Sequence, residues 1–332
     1  MIGLNWSKPR VVISRCIEFE HVRYNGQIIS SDFVKGLMPH IDAVPICPEV
    51  EIGLGVPRET LRLVKQGDDI RLLQPATKKD FTEKMYAFTD KFFSSLGEVD
   101  GFILRSGSPS SGLTRVKIYA SIERSPAIGR GSGLFAGKVK DKYGHLAVEE
   151  DLRLKNSRIR EHFLRKLYTL AAFRDTKNTN KMGALVDFHT RNKVQLKAYN
   201  EAEMRKLGNI VANHEKRDFA TVLDDYETHL YLALQRAPNC RTYTNVLKNS
   251  LGYFSDDLKS EEKQFFLKRL QDYRDGKTPL IVPVDIMKSW IIRTDKEYLA
   301  DQTFFNPYPE ELLDIDSIIE ACGDRDYWKT MK

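Results

Sequence analysis

Long apolar runs are missing from this 332-residue sequence. No stretch approaches the roughly eighteen uninterrupted apolar residues that a membrane-spanning helix needs. The N-terminal sequence MIGLNWSKPRVVISRC also lacks the apolar run and small-residue cleavage site of a secretory signal. Internal repeats, low-complexity tracts and Cys or His spacings typical of zinc sites are absent as well. These absences predict a cytoplasmic globular protein without a transmembrane segment.

Cysteine is also scarce. The chain has four cysteines, at positions 16, 47, 240 and 322. They are too few and too scattered for a disulfide framework, so a reducing compartment is expected. The length of the chain exceeds the roughly 250–300 residues at which a single core usually stops growing, so two domains are expected.

Positive charge is unevenly distributed. The chain has a net charge of +6, yet residues 151–250 alone hold 19 Lys and Arg against 11 Asp and Glu, a net charge of +8. Charge concentrated in one segment suits a polyanionic partner such as RNA, but it is also typical of a solvated helix face. Charge alone leaves both interpretations open.

Short apolar runs in the first part of the chain predict β-strands. These runs cover residues 10–16, 43–47, 101–105 and 116–119. Helical periodicity separates them at 31–37 and 80–96, and this alternation predicts a mainly parallel sheet. In such sheets, ligands bind beyond the carboxyl ends of the strands.

Two cysteines and a Ser/Gly/Pro loop stand at predicted carboxyl ends. Cys16 and Cys47 end the first two runs, and the loop 106–112 follows the third. We therefore expect them to converge in space. Residue type alone nevertheless favours the alternative that both cysteines are small buried hydrophobes.

From about residue 151, helical patterns replace strands. They cover residues 157–173, 182–211 and 218–235. The sequence thus predicts an α/β domain over 1–150, with a mainly parallel sheet, followed by a mostly α-helical domain over 151–332.

Several motifs in the first domain resemble those of the thiouracil desulfidase (TudS-like) family. They are Cys16, VRYNG at 22–26, CPEVEIGLGVPR at 47–58 and SPSSG at 108–112. The second domain resembles the YbgA-type domain through LVDFHTRNK at 185–193, TNVL at 244–247, GYF at 252–254, PLIVP at 279–283 and NP at 306–307. Fusions of this kind resemble enzymes that remove sulfur from 4-thiouridine in tRNA, or from free thiouracil, to give the uracil base. The resemblance implies that the second domain holds the tRNA.

The resemblance also implies a 4Fe–4S cluster held by three cysteines, with one iron open to the substrate's sulfur. Cys16 and Cys47 match two of these ligands, but Ser111 replaces the third cysteine of the family's SPSCG loop. A hydroxyl is a poor substitute because thiolates are soft ligands and an alkoxide is hard. Three explanations stay open: a cluster bound with serine or an outside ligand, a non-catalytic RNA-binding protein that has lost the cluster, or a substitution relative to the parent sequence.

Two further residues are candidates for chemistry at this site. Glu49 is the candidate that moves protons, a role that the resemblance also implies, and Ser108 is placed to hydrogen-bond the ring or steer water. The alternatives are a helix N-terminal acid or ion-pair partner for Glu49, and an ordinary turn residue for Ser108. Arg23 and Arg58 are candidate clamps for a phosphate or base, or structural partners of nearby carboxylates.

Outside the site, other polar segments have a candidate role. Arg158, Arg160, Arg165 and Lys166 form either a tRNA backbone contact or a solvated face. His189 is predicted to have a surface or capping role, and the glycine-rich segment 129–133 is predicted to be a turn near the mouth of the site.

Overall fold

The computed structural model describes residues 6–313, which divide into two compact units. One unit runs from Lys8 to Phe163, and the other comprises residues 164–313 together with Trp6 and Ser7. The division falls inside one long helix, Ser157–Asn178. Within the described range, none of the helices has both the length and the apolar character needed to cross a membrane.

The first unit alternates strands with helices. Its strands are β1 (Arg10–Ser14), β2 (Asp42–Ile46), β3 (Arg62–Gln66), β4 (Asp69–Gln74), β5 (Lys79–Asp80), β6 (Gly101–Leu104), β7 (Val116–Tyr119), β8 (Ala127–Gly131) and β9 (Ala147–Glu150). Its helices are α1 (Asp32–Leu37), α2 (Pro48–Glu51), α3 (Thr82–Ser95) and α4 (Leu134–Tyr143), with 3₁₀ turns at Met38–His40 and Arg153–Lys155.

Four of these strands form a parallel sheet in the order β2, β1, β6, β9. Val11, Val12 and Ile13 of β1 are fully buried, as expected for a central parallel strand that is covered on both faces. The prediction of a parallel α/β fold is therefore confirmed. Since these strands run in the same direction, the segments that follow β1, β2 and β6 leave the sheet from one edge.

The other strands form a second sheet in the order β5, β4, β3, β7, β8. Its pairings are antiparallel, except that β3 and β7 are parallel. The run 116–119 is a strand, as predicted, but it belongs to this second sheet. The predicted turn at 129–133 is wrong in part, because β8 continues to Gly131. A Cβ at that position would lie 3.0 Å from Ile118 Cδ1, so glycine allows β8 to pair closely with β7.

The second unit is helical, as predicted. Its helices, beginning with the one at the division, are α5 (Ser157–Asn178), α6 (Met182–Tyr199), α7 (Glu201–Ala212), α8 (Phe219–Ala233), α9 (Cys240–Leu251), α10 (Ser260–Arg274), α11 (Ile281–Thr294) and α12 (Glu297–Ala300), with 3₁₀ turns at Gly252–Phe254 and Glu310–Leu312. The predicted helix over 182–211 is two helices. Asn200 has an extended backbone and accepts a hydrogen bond from the Glu203 amide at 3.1 Å, so it ends α6 and caps α7. Phe254, Phe266 and Trp290 lie in the apolar core of this unit.

His189 is not on the surface, and the prediction of a surface or capping role is wrong. The side chain is 6% exposed on α6, and its Nδ1 lies 3.1 Å from the hydroxyl of Tyr226. Burial, with a smaller contribution from the charge of Lys193, lowers the pKa of His189 from 6.5 to about 4. The imidazole is therefore neutral at physiological pH.

This neutral histidine predicts a loss of stability in acid. Between pH 6.5 and about 4 the unfolded chain binds a proton at His189 and the folded chain does not, so the free energy of unfolding falls as pH decreases. Urea unfolding at successive pH values should show a loss of up to about 3 kcal/mol that is removed in His189→Gln. His214→Gln, at an exposed histidine, is the matched control and should keep the wild-type pH dependence. Identical profiles for all three proteins would contradict the prediction.

Candidate functional site

A cavity of about 300 Å³ lies at the carboxyl edge of the parallel sheet. Cys16 follows β1, Cys47 follows β2, and the loop 105–111 follows β6; all three line this cavity, as do Glu49 and Arg23. The structure thus brings together the residues that the sequence placed at separate strand ends. They meet because parallel strands deliver the segments that follow them to the same edge.

The two cysteines are free thiols and each is 8% exposed. Burial, followed by the neighbouring Cys47, raises the pKa of Cys16 to about 12. Burial likewise raises the pKa of Cys47. The sulfur of Cys47 lies 4.0 Å from Nη2 of Arg58. Both sulfurs therefore belong to one small, largely desolvated site.

Glu49 is held from two sides. It lies in the first turn of α2, is 9% exposed, and pairs with Arg58, whose Nη2 and Nε lie 2.7 and 2.9 Å from Oε2. On the other side, the hydroxyls of Ser110 and Ser108 donate to Oε1 at 2.7 and 3.3 Å. The ion-pair alternatives for Glu49 and Arg58 are therefore correct. The pairing also fixes the carboxylate at the wall of the cavity.

The serine loop is organised by its own hydrogen bonds. Oγ of Ser108 accepts from the amides of Ser110 and Ser111 at 3.3 and 3.2 Å, which is the turn role that the sequence allowed. It also lies 2.9 Å from the Ser110 hydroxyl. Ser110 was not a sequence candidate, although it makes the shorter contact with Glu49 and is only 1% exposed. Its place in the SPSSG motif was the available signal.

The backbone at the start of α4 holds this loop in place. The amides of Leu134 and Ala136 donate to the carbonyls of Pro109 and Ser110 at 3.2 and 3.0 Å. A Cβ at Gly133 would lie 2.5 Å from the carbonyl carbon of Ser110. Only glycine permits that approach, so the path of the loop depends on Gly133, the N-cap of α4.

Ser111 lines the cavity and is 4% exposed, with its hydroxyl 3.5 Å from that of Ser110. The candidate ligand set is thus two thiols and one hydroxyl. Among residues 6–313, no cluster of three or more His, Cys, Asp or Glu side chains is arranged to hold a metal ion. Cys240 belongs to the other unit, and Cys322 lies outside the described residues.

A second ion pair lies at the cavity wall, and the sequence did not reveal it. Arg105 lines the cavity and pairs with Asp151, which also accepts from the Ser106 amide at 2.9 Å. The Arg105 amide donates to Ser14 Oγ at 2.9 Å. Asp151 directly follows β9, so recognising that strand would have placed the acid at the same sheet edge.

The four basic residues proposed to contact RNA do not form a solvated face. Arg160, Arg165 and Lys166 are buried, and Arg158 is half-buried. Nη1 of Arg165 donates to Gln195 Oε1 at 3.2 Å and to the Phe304 carbonyl at 3.1 Å. For the three buried residues the interpretation as a solvated face is wrong, because these side chains are enclosed. The alternative, a tRNA backbone contact by the four residues, stays a prediction.

Comparison with known proteins matches both parts of the chain. Residues 11–151 match the family model described as 2-thiouracil desulfurase, and residues 193–309 match a protein of unknown function, DUF1722. The uncharacterized protein YbgA of Escherichia coli (strain K12) is 32% identical over 128 residues, which are 38% of this chain and 76% of that protein. The chain belongs to the YbgA family. This YbgA-family protein is a fusion, with a 2-thiouracil desulfurase domain ahead of the YbgA-like part.

Two further proteins each match part of the YbgA-family fusion. The uncharacterized protein YbbK of Bacillus subtilis (strain 168) is 28% identical over 109 residues, which are 31% of this chain and 72% of that protein. A solved structure of the 4Fe–4S-dependent thiouracil desulfidase TudS is 26% identical, with a TM-score of 0.35, and the match covers 45% of this chain and 94% of that one.

The buried ion pair generates a stability prediction. Arg58→Leu leaves the 9%-exposed Glu49 carboxylate without its cation, and breaking a buried pair from one side typically costs about 3–5 kcal/mol. We expect a loss of that size in the free energy of urea unfolding. The double variant Arg58→Leu with Glu49→Gln should recover much of the loss, since no unpaired charge remains. Equal losses in the single and double variants would contradict this account.

Proposed function

We propose that the first unit is a desulfidase that replaces the sulfur of a thiolated pyrimidine with oxygen. Its proposed substrates are 4-thiouridine in tRNA and free thiouracil. The observation that carries the proposal is a carboxylate, Glu49, fixed between a cation and two hydroxyls in a cavity that also contains two thiols. The match of residues 11–151 to the 2-thiouracil desulfurase family supports it.

The proposed reaction is hydrolytic. A thiocarbonyl and water give a carbonyl and hydrogen sulfide, so the C–S bond breaks as a C–O bond forms. Glu49 would take one proton from the attacking water and pass it to the sulfur. As the C–S bond breaks, Glu49 would take the second proton from the new hydroxyl and pass it to the departing sulfur, so that hydrogen sulfide leaves and the carboxylate is regenerated. Arg58 and Ser110 would act as positioning residues, because between them they engage both carboxylate oxygens.

The ligand set does not fit the cluster that the family resemblance implies. Cys16 and Cys47 supply two soft sulfurs, but the third position has the hydroxyl of Ser111. A hydroxyl is hard and retains its proton at neutral pH, so it does not match a three-thiolate site. We therefore assign no step of the reaction to a 4Fe–4S cluster.

Position 111 is nevertheless the place where that mismatch can be tested. Ser111→Cys restores a three-thiol set in the same cavity, so we expect iron and acid-labile sulfide per protein to rise several-fold after anaerobic reconstitution. Ser110→Cys, one residue away, is the matched control and should give no comparable rise. Equal iron contents in wild type and both variants would show that residue 111 is outside any cluster's ligand shell.

A second candidate function is favoured by Ser111 itself. If the missing thiolate reflects a decayed cluster site, the chain is a non-catalytic RNA-binding protein. Release of sulfide from 2-thiouracil or 4-thiouridine by anaerobically purified wild-type protein distinguishes the two functions. Under both candidate functions, the division into domains 1–150 and 151–332 stays a proposal. The tRNA-holding role of the second domain also stays a proposal, and the buried cations of α5 do not support it.

The proton-transfer role of Glu49 predicts a large catalytic effect. Glu49→Gln keeps the size of the side chain but removes its carboxylate, so sulfide release should fall by about a hundredfold or more. Binding of 2-thiouracil, followed by equilibrium dialysis, should persist. The measurement is made in the Ser111→Cys background if the wild type shows no turnover.

Arg58→Leu is the matched control, since it breaks the same ion pair but keeps the carboxylate hydrogen-bonded to Ser110. We expect a smaller loss of activity in that variant. Equal losses in the two variants would make Glu49 a structural partner of Arg58 and end the proton-transfer assignment.

A further inference from the structure

Three cations lie side by side on one face of the second sheet. Lys117 on β7 is directly opposite Arg130 on β8 in the antiparallel register. On the other side, β3 runs parallel to β7, with Leu63 beside Ile118 and Val64 beside Tyr119. Arg62 therefore shares the face of Lys117, since side chains alternate along a strand. We call Arg62, Lys117 and Arg130 the basic row.

The opposite face of the same strands is apolar. Leu63, Val116 and Leu72 are almost fully buried, with exposures of 0%, 3% and 0%. On β8 the residues on that inner face are Gly129 and Gly131, which face Ile118 and Val116 in the register. On the face of the basic row, Val64 of β3 and Leu73 of β4 are also buried, at 1% and 5% exposure. The row is exposed where it reaches β7 and β8, at Lys117 and Arg130.

Lys117 and Arg130 are exposed and lack a neutralising partner. Neither forms an ion pair with any residue of the described range 6–313. Like charges directly opposite each other across a strand pair are destabilising. On the same sheet, Arg71 does have neutralising partners, because it pairs with Asp80 and Glu83 at 2.7 and 3.1 Å. The folded protein therefore retains an unfavourable pair of cations at one place.

An aromatic ring accompanies the basic row. The guanidinium of Arg62 lies over Tyr119, 4.6 Å from the ring centroid. Both side chains are half-buried. Cations combined with a planar aromatic group are typical of surfaces that bind nucleic acid strands, which offer both phosphates and base faces. The segment 115–131 has four basic residues and one acidic residue, which disfavours an apolar or a cationic partner.

The basic row is joined to the cavity through the chain. Thr60 and Leu61 line the cavity and lead directly into Arg62. At the other end of the row, β8 leads to Gly133, whose amide donates to the Gly112 carbonyl at 2.8 Å, beside the serine loop. A polymer lying on the row is therefore close to the cavity that receives the base.

We propose that the basic row binds the phosphate backbone of the RNA whose thiolated base enters the cavity. This inference rests on the proposed function and narrows its substrate to a polynucleotide. It locates RNA binding on the desulfurase domain itself, on residues different from the buried cations of α5.

The test uses the full-length protein and an unmodified tRNA transcript, so that binding is measured without turnover. The double variant Lys117→Gln with Arg130→Gln should weaken binding about tenfold at low salt, measured by fluorescence anisotropy. Each lost phosphate contact should also reduce the slope of log affinity against log salt by about 0.9. Sulfide release from free 2-thiouracil should be unchanged, which separates failure of this inference from failure of the proposed function.

Lys84→Gln with Lys91→Gln is the matched control, because it removes two exposed lysines from α3 and gives the same net charge. It should change neither affinity nor slope. Lys117→Glu is a second variant that places an opposite charge across from Arg130, so it should keep the fold and still weaken tRNA binding. Equal effects of the Lys117/Arg130 and Lys84/Lys91 pairs would overturn the proposal. Poly-glutamate that binds as tightly as the tRNA, and is weakened as much by Lys117→Gln with Arg130→Gln, would also overturn it. The surface would then be a general polyanion site.

Discussion

A guanidinium cannot be buried without partners, and only 6% of the Arg58 side chain is exposed. Its donors reach the Glu49 carboxylate and the carbonyls of Val22 and Gly55. These hydrogen bonds to the Arg58 guanidinium bring together the segment that follows β1, the start of α2 and the loop that follows α2. The positions of the Cys47 thiol and the Glu49 carboxylate both follow from that requirement, since both lie on α2 or at its cap.

The carboxylate imposes a second requirement from the opposite side. One of its oxygens is taken by Arg58, and the other accepts hydrogen bonds from Ser110 and Ser108. The loop after β6 is thereby drawn towards the first two segments. Ser111 reaches the cavity wall as part of this loop. Its position beside the two thiols therefore follows from the path of the loop and not from a ligand of its hydroxyl.

The strands that the sequence predicts best are those whose residues are nearly all buried. The strands β1 and β6 are predictable because central parallel strands buried on both faces are apolar along most of their length. The strand β2 lies at the edge of the sheet and is predictable from the apolar residues that follow Asp42. The strand β9 contains two acidic residues, Glu149 and Glu150, and β3 ends in exposed polar residues. Neither strand is a short apolar run, so the pattern that predicts β1 and β6 does not predict them. The Arg105–Asp151 pair and the basic row depend on these two strands and are unpredictable for the same reason.

The basic segment of α5 shows a different limit. Charge indicates exposure on average, but Arg165 is enclosed by Gln195 and Phe304, which are far away in the chain. Such partners are invisible to local pattern. A similar case is Gln302, which donates to the Thr190 carbonyl and accepts from the Val194 amide, so a distant side chain bonds two backbone groups of α6.

The contact between Gly133 and Ser110 leaves no spare volume, since even a methyl group at Gly133 would overlap the Ser110 carbonyl. The start of α4 and the serine loop therefore have to keep the same relative position. An insertion beside Gly133 or within the serine loop would displace the hydroxyls that hold Glu49. Diversification of this cavity is consequently easiest at wall positions such as Arg23 and Thr60, which line it without taking part in that contact.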